Sequence, residues 1–233
     1  THGPSDHLGA QERRCMFEKF ANASGIIFDC DGCLLDSMKT WREVEFGLIK
    51  QTNHEWTQDE LEEMRAAPMS ETAKIFHERW GLLESNEAVS QYMHDTMWDY
   101  YNNRATFRQG AREFFEKLQT AGVPCCVVSS TPTKYLNAGL AHVGILDELV
   151  AVFSTEETHL SKQDPRLFRL ALDELRAEPQ TAWGFDDSLY AIRVMNGVGI
   201  NTVGTYEEDH AGTYEQLCER ATLAIRSFDE LLG

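Results

Sequence analysis

Short, uninterrupted apolar runs along the chain predict the strands of one β-sheet. Unbroken runs, as opposed to alternating ones, are typical of parallel strands that helices cover on both faces. A fifth run, at 200–203, is weaker than the other four. The four stronger runs span residues 26–28, 125–128, 149–153 and 181–185.

The segments between the later strands have a helical pattern. Apolar residues recur there at spacings of three and four, which predicts amphipathic helices, and a proline at position 165 suits a first helical turn. Strands that alternate with helices predict right-handed β-α-β units, and hence an α/β fold with a doubly wound, Rossmann-like parallel sheet. The predicted helices span residues 111–120, 133–143, 165–175 and 188–195.

Residues 38–103 interrupt this alternation because their pattern is helical throughout, with predicted helices at 40–50, 60–67, 71–80 and 87–101. We interpret this segment, called the helical insert below, as a domain placed directly after the first strand, where such a sheet presents its ligand-binding edge. The alternative is that it belongs to one larger core. The predicted parts are an N-terminal extension (1–23), a core (24–37 and 104–233) and the helical insert (38–103).

Composition limits the classes of partner. The chain has 233 residues, 21 basic and 38 acidic, and a formal charge of −17. This balance argues against nucleic-acid binding through phosphate neutralisation and against an anionic membrane surface. No apolar run approaches the ~20 residues of a membrane span, and residues 1–24 lack the apolar stretch of a signal peptide. We therefore expect a cytoplasmic protein, monomeric or homodimeric, that binds a small diffusible molecule.

The six cysteines lie mostly in apolar runs, which fits reduced, buried thiols better than a disulfide framework. Cys30 and Cys33 match a C-x-x-C pattern. A redox or zinc site remains an alternative here. It is the weaker one because no second cysteine pair or histidine cluster lies nearby.

Two carboxylates follow the first predicted strand directly. Asp29 and Asp31 are two residues apart, so in an extended chain both side chains project to the same side, and Gly32 lets the backbone turn close to a ligand. Two adjacent carboxylates stay ionised only if a positive charge compensates them. Mg²⁺ is a suitable compensator, although a pair of acidic loop residues is a common alternative.

These residues resemble the first motif of the haloacid dehalogenase superfamily, which usually reads D-x-D-G-T or D-x-D-G-V; here Cys33 takes the last position. Three further segments resemble the later motifs in the right order. Alone, each of these has a simpler explanation as a turn, a surface lysine or a helix cap. The later motifs contribute Ser129 and Ser130 after a strand, Lys162 in a Lys-Gln that replaces the usual Lys-Pro, and Asp186 and Asp187 after another strand.

The resemblance implies a mechanism. Asp29 would attack phosphorus and form an aspartyl-phosphate, while Asp31 would act as general acid and then base. Ser129, Ser130 and Lys162 would bind the phosphoryl group. The implied Mg²⁺ ligands are Asp29, the backbone carbonyl of Asp31, Asp186 and Asp187.

The carboxylate at Asp31 favours phosphoryl transfer, since the superfamily's dehalogenases lack it. The helical insert resembles the small cap of phosphoglycolate phosphatases and β-phosphoglucomutases. Met69 stands where those mutases usually carry an arginine, with Arg65 nearby. We therefore expect a Mg²⁺-dependent phosphatase for a small phosphorylated metabolite, of the sugar phosphate or phosphoglycolate type. The alternatives are a β-phosphoglucomutase-like phosphomutase and a non-enzymatic module; Glu45 and Phe46 join the two cap-loop residues as candidate specificity determinants.

Overall fold

The computed structural model of this chain describes residues 10–52, 54–57, 60, 69–208 and 213–232, without the side chains of 10–15 and 69–71. The strands among these residues form one sheet in the order β3-β2-β1-β4-β5-β6, and every neighbouring pair is parallel. The strands are β1 (Ile26–Phe28), β2 (Cys125–Ser129), β3 (Ala151–Ser154), β4 (Trp183–Asp186), β5 (Asn201–Thr205) and β6 (Leu223–Ile225).

Helices connect these strands. Two of them, Met69–Lys74 and Asn86–Asp99, continue directly into π-helical segments at Ile75–Arg79 and Tyr100–Arg104. In the described part of the chain, none of the helices has the length and apolar character that crossing a membrane requires. The helices are α1 (Ala10–Ala21), α2 (Met38–Ile49), α3 (Met69–Lys74), α4 (Asn86–Asp99), α5 (Ala111–Thr120), α6 (Thr133–His142), α7 (Thr155–Thr158), α8 (Pro165–Leu175), α9 (Leu189–Val198), α10 (Tyr214–Arg220) and α11 (Asp229–Leu232).

Both faces of the sheet are buried. Ile26 and Phe28 join the apolar cluster on one face, together with Phe114 of α5. Ile27 points to the opposite face and joins a second cluster with Leu172 of α8. Successive side chains of a strand alternate between faces, so helices on both sides explain why the strands read as unbroken apolar runs. The prediction of a doubly wound α/β fold is confirmed.

Some predicted boundaries and elements differ from the structure. The third strand begins at Ala151 because the chain before it makes a 3₁₀ turn at Leu146–Glu148. The fourth begins at Trp183 because Pro179–Thr181 form another such turn. Strand β6 and helix α1 were not predicted from the pattern. Strand β6 is as short as β1, but it lies at the edge of the sheet and only one of its three residues is buried. In α1, charged residues are interspersed among the apolar ones.

The helical insert contains helices close to those predicted. Helix α2 corresponds to 40–50, α3 with its π-helical continuation to 71–80, and α4 with its continuation to 87–101. Most of the predicted helix at 60–67 lies outside the described residues. The outgoing and returning connections run side by side, since the Asp36 amide donates to the Thr106 carbonyl at 2.9 Å. The division into domains stays a prediction.

Candidate active site

The ends of three neighbouring strands form the candidate site. Strand β1 lies between β2 and β4. Asp29 follows β1 directly, and its amide donates to the Phe185 carbonyl of β4 at 2.8 Å. Ser129 is the last residue of β2, and Asp186 is the last residue of β4. The chain changes direction across the sheet at this point, which is where open α/β sheets bind their ligands.

Three buried carboxylates and one lysine occupy this edge. Asp29, Asp186 and Asp187 each offer an oxygen within 4.8 Å of the others. Lys162 is 4% exposed, and its Nζ lies 2.6 Å from Asp29 Oδ1 and 2.8 Å from Asp186 Oδ2. If all three carboxyls are ionised, the group keeps two uncompensated negative charges.

The pKa values reflect this crowding of charge. Burial raises the pKa of Asp29 well above its usual range; Lys162 opposes this effect, and the two neighbouring carboxylates add to it. Burial also raises the pKa of Asp187, with a further contribution from Asp186. Burial alone would lower the pKa of Lys162, but the pull of Asp186 and Asp29 raises it overall, so the lysine stays charged.

The donor set fits a hard divalent cation. Mg²⁺ and Ca²⁺ bind carboxylate oxygens, and the three carboxylates already converge within reach of one ion. A divalent cation would also cancel the two negative charges that Lys162 leaves uncompensated. The side chain of Asp31 is not among these converging carboxylates of the described residues, so its predicted contribution rests on the backbone carbonyl alone.

The Asp31 carboxylate is bound by hydroxyl groups instead. Its Oδ1 accepts hydrogen bonds from Ser37 Oγ at 2.5 Å and from the Tyr101 hydroxyl. Its Oδ2 accepts one from Thr131 Oγ1 at 2.7 Å. Asp31 is therefore held by residues of the outgoing connection, the helical insert and the loop after β2.

A tight turn places Asp31 next to the carboxylate group. Gly32 has a φ of +71°, and a Cβ there would lie 2.5 Å from Asp187 Oδ2. The Gly32 amide donates to the Leu35 carbonyl at 3.1 Å. Arg108 donates to the Gly32 carbonyl from one side of its guanidinium and, at 2.7 Å, to the Tyr206 carbonyl from the other. Glycine is needed here both for its backbone conformation and for the space its missing side chain leaves.

A small cavity of about 120 Å³ opens over these groups. Its lining combines residues at and just after the three strand ends with Lys162 from the loop between α7 and α8, Met38 from the start of the helical insert and Tyr190 from α9. The described lining consists of Asp29, Asp31, Met38, Ser129, Ser130, Thr131, Lys162, Asp187 and Tyr190.

The family comparison covers most of the chain. The sequence profile described as haloacid dehalogenase-like hydrolase matches residues 23–199. The chain belongs to the haloacid dehalogenase-like hydrolases. The sequence resemblance to this superfamily is thereby confirmed.

Known relatives of this hydrolase differ in activity. It is 21% identical over 209 residues to a phosphorylated carbohydrates phosphatase from Thermotoga maritima, covering 89% of this chain and 96% of the relative. It is also 21% identical to (S)-2-haloacid dehalogenase 1 from a Pseudomonas species, covering 82% and 83% of the two chains. A solved β-phosphoglucomutase from Clostridium difficile superimposes with a TM-score of 0.67 at 18% identity, covering 90% and 93%. This last similarity shows the fold.

The hydrolase brings the predicted site residues to one edge of the sheet. Six of the seven line the cavity, and the seventh, Asp186, lies behind it in contact with Lys162. The contributors that were not predicted include Thr131, Tyr101 and Tyr190. Thr131 could have been found, since it directly follows the serines of the second motif. Tyr101 is 70 residues from Asp31 in sequence, and no local pattern connects the two.

The C-x-x-C residues of this hydrolase are both free and buried thiols. Burial is the first cause that raises the pKa of Cys30 and of Cys33, with nearby carboxylates adding to it. Since the thiolate is the reactive form, these conditions oppose redox or metal chemistry at the pair. Among the four candidate specificity residues, Arg65 and the side chain of Met69 lie outside the described residues, and the described cavity lining does not include Glu45 or Phe46.

Proposed function

We propose that this hydrolase is a phosphatase that cleaves a small phosphorylated metabolite through an aspartyl-phosphate on Asp29. The observation that carries the proposal is the position of Lys162, whose ammonium lies 2.6 Å from Asp29. This contact holds the Asp29 carboxylate at the floor of the cavity and supplies a positive charge where phosphate enters. A carboxylate oxygen aimed at such a cavity is suited to nucleophilic attack on phosphorus.

Asp31 would be the general acid and base. In the first step, Asp29 forms a bond to phosphorus, the ester P–O bond breaks, and Asp31 gives its proton to the leaving oxygen. In the second step, a water molecule attacks phosphorus, the bond to Asp29 breaks, and Asp31 takes the proton of that water. Inorganic phosphate and an alcohol are the products, and Asp29 and Asp31 end in their starting states.

Ser129, Ser130 and Lys162 would hold the phosphoryl oxygens. All three line the cavity. Ser129 is almost fully buried, and its Oγ accepts a hydrogen bond from the Thr131 amide at 3.1 Å, which leaves its own proton available for a phosphoryl oxygen. Charge-assisted hydrogen bonds from groups already in place stabilise developing charge without reorganisation.

Mg²⁺ would be held by Asp29, Asp186, Asp187 and the backbone carbonyl of Asp31. When bound, it would offset the charge of the carboxylates and of the phosphate dianion and so let the two anions approach each other. The residues of the chain do the remaining work of orienting the nucleophile and moving the proton.

The size of the site favours a small substrate. A cavity of about 120 Å³ suits a phosphoryl group with a small substituent, which would lie beside the helical insert. We propose that the helical insert forms a cap over the site, because Met38 lines the cavity and Tyr101 binds Asp31. The printed activity of the Thermotoga relative supports a phosphorylated carbohydrate as the substrate class.

The test is a phosphate-release screen over sugar phosphates, phosphoglycolate and an aryl phosphate, with the wild-type protein and Asp29→Asn. We expect release from at least one alkyl phosphate, dependence on Mg²⁺ and loss of activity with EDTA. Asp29→Asn should lose essentially all of this release. Undiminished turnover in Asp29→Asn, or full activity in EDTA, would contradict the proposal.

A phosphomutase is the second candidate, favoured by the structural similarity to β-phosphoglucomutase over nearly the whole chain. A mutase would transfer the phosphoryl group between two hydroxyls of one sugar, releasing little free phosphate. Incubation with β-glucose 1-phosphate separates the two, since a phosphatase yields phosphate and glucose while a mutase yields a sugar 6-phosphate. A dehalogenase would show halide release from a 2-haloacid, and we expect none because Asp31 is present.

A further inference from the structure

The two oxygens of Asp31 have different surroundings. Oδ1 accepts from Ser37 and Tyr101, and Oδ2 accepts from Thr131. The described lining of the cavity includes Thr131 but neither Ser37 nor Tyr101. Oδ1 therefore faces the protein interior, and Oδ2 is the oxygen that a bound substrate would meet.

The hydroxyl of Tyr101 has a fixed direction. The indole N–H of Trp41 can only donate, and it lies 3.3 Å from the Tyr101 oxygen. The phenol therefore accepts from Trp41 and sends its own proton to Asp31. The hydroxyls of Ser37 and Thr131 can rotate about their C–O bonds, so they lack this constraint from a second partner.

The ring of Tyr101 is also fixed in place. The residue is fully buried. Its ring packs edge-on against Tyr100, with 5.2 Å between the ring centroids, and at a tilt against Tyr135, with 5.5 Å between the centroids. Burial, with Asp31 adding to it, raises the pKa of Tyr101, so the phenol keeps its proton and stays a donor.

We propose that Tyr101, held by Trp41, is a positioning residue that keeps the transferable proton of Asp31 on Oδ2. Oδ1 already accepts hydrogen bonds from Ser37 and Tyr101, and the Tyr101 hydroxyl cannot rotate away. A proton on Oδ1 would therefore point at the protons of these two hydroxyls. Oδ2 has one partner, Thr131, whose hydroxyl can rotate. This inference rests on the proposed function, because Asp31 must carry a proton to the leaving oxygen.

The arrangement also connects the helical insert to the reaction. Trp41 belongs to α2, and Tyr101 belongs to the π-helical segment that ends the insert. Two separate parts of the insert therefore orient one carboxyl group of the core. Proton delivery should depend on this packing, whereas attack by Asp29 should not.

The experiment compares Tyr101→Phe with wild type on two substrates, p-nitrophenyl phosphate and the alkyl phosphate that wild type hydrolyses best. A nitrophenolate leaves with little need of a proton, whereas an alkoxide requires one. We expect Tyr101→Phe to lower kcat/KM for the alkyl phosphate by about tenfold or more and for the aryl phosphate by less than about threefold. Trp41→Phe removes only the indole N–H from this chain of hydrogen bonds. It should lower the ratio of kcat/KM for the alkyl phosphate to kcat/KM for the aryl phosphate as well, by a smaller factor than Tyr101→Phe does.

The matched control is Tyr135→Phe. Tyr135 packs against the ring of Tyr101, but its hydroxyl binds His94 and not Asp31. This variant should leave the ratio of the two kcat/KM values unchanged. In Tyr101→Phe, Mg²⁺ affinity, followed by calorimetry without substrate, should match wild type. A single cooperative melting transition, at a temperature lowered by the lost hydrogen bonds, should show that the variant is folded.

The outcomes separate the two proposals. If wild type hydrolyses neither phosphate, the proposed function fails. If wild type hydrolyses both phosphates, and Tyr101→Phe either lowers both kcat/KM values by the same factor or leaves both unchanged, the role of Tyr101 is overturned while the phosphatase assignment stands. If Tyr101→Phe does not fold, the ratio of the two kcat/KM values is measured in Trp41→Phe instead. A lowered ratio supports the role of Tyr101, and an unchanged ratio overturns it.

Discussion

Replacing Asp187 by asparagine should stabilise the metal-free protein while removing its response to Mg²⁺. Asp187 is buried next to Asp29 and Asp186, and burial and Asp186 raise its pKa. An amide has nearly the same shape but no charge, so Asp187→Asn removes the repulsion and keeps the volume. Residues that bind a ligand at a functional site often lower the free energy of unfolding of the ligand-free protein.

The structure gives the scale of the effect. The carboxylate oxygens lie within 4.8 Å of one another, and at an effective dielectric constant of ~20 each such pair repels by roughly 3.5 kcal/mol. Asp187 has two of these neighbours, and the attraction of Lys162 and Arg108 opposes their repulsion. We therefore expect a net gain of about 2 kcal/mol in the free energy of unfolding. For a chain of this length that corresponds to a rise of ~4–8 °C in Tm.

The assay is thermal unfolding of wild type and Asp187→Asn, each in EDTA and in excess Mg²⁺. Saturating metal at ~100 times its Kd should add about 2.7 kcal/mol to the wild-type protein and little to the variant. Asp173→Asn is the matched control, because Asp173 lies exposed on α8. It should change stability by less than about 0.5 kcal/mol and keep the Mg²⁺ response.

Two results would contradict these expectations for Asp187. A lower Tm for Asp187→Asn in EDTA would mean that the three carboxylates are not a source of repulsion. A wild-type protein whose Tm does not respond to Mg²⁺ would mean that they do not bind the ion.

The buried carboxylates, the turn at Gly32 and the buried thiol of Cys30 each give a further prediction. The pKa values of Asp29 and Asp187 are raised above their unfolded value of 3.8, so their contribution to stability is complete below that pH and is lost as pH rises through the folded pKa values. In EDTA, urea unfolding should therefore show that the difference in free energy of unfolding between Asp187→Asn and wild type becomes smaller as pH falls from ~8 to ~5. A difference that stays constant would contradict this. Gly32→Ala should weaken Mg²⁺ binding, measured by calorimetry, by more than about tenfold, since its Cβ would meet Asp187 at 2.5 Å in a left-handed turn; unchanged affinity would refute the geometry of this turn. A thiol reagent should modify exposed Cys218 in the native protein and leave buried Cys30 unmodified until urea is added, and fast native labelling of Cys30 would revive the redox alternative.

The sequence was informative about the sheet because the physical signal is local. Strands covered on both faces need apolar residues at every position, as in the run 125–128, and this pattern is visible without tertiary information. The acids at the strand ends were equally accessible, because parallel strands bring their carboxyl ends to one edge of a sheet. Fold class and the positions of Asp29 and Asp187 could therefore be predicted. Lys162 lies in the loop before α8 and was predicted only from its place in the series of family motifs.

What could not be predicted depends on contacts between distant segments. The hydrogen bonds of Trp41 to Tyr101 and of Tyr101 to Asp31 join residues 60 and 70 positions apart. In the sequence both aromatic residues look like ordinary apolar positions of a helix. The cavity residue Tyr190 was hidden in the same way, within the helix that follows the fourth motif. Periodicity reports that a residue is buried and does not report which polar atom it meets.

Trapping the covalent intermediate tests most directly whether Asp29 is the nucleophile. Wild-type protein turning over an aryl phosphate in Mg²⁺ would be quenched with acid, digested and analysed by mass spectrometry. We expect one phosphoryl group on the peptide that carries Asp29, and none on the corresponding peptide of Asp29→Asn. A phosphoryl group on any other residue, or turnover by Asp29→Asn at the wild-type rate, would contradict it.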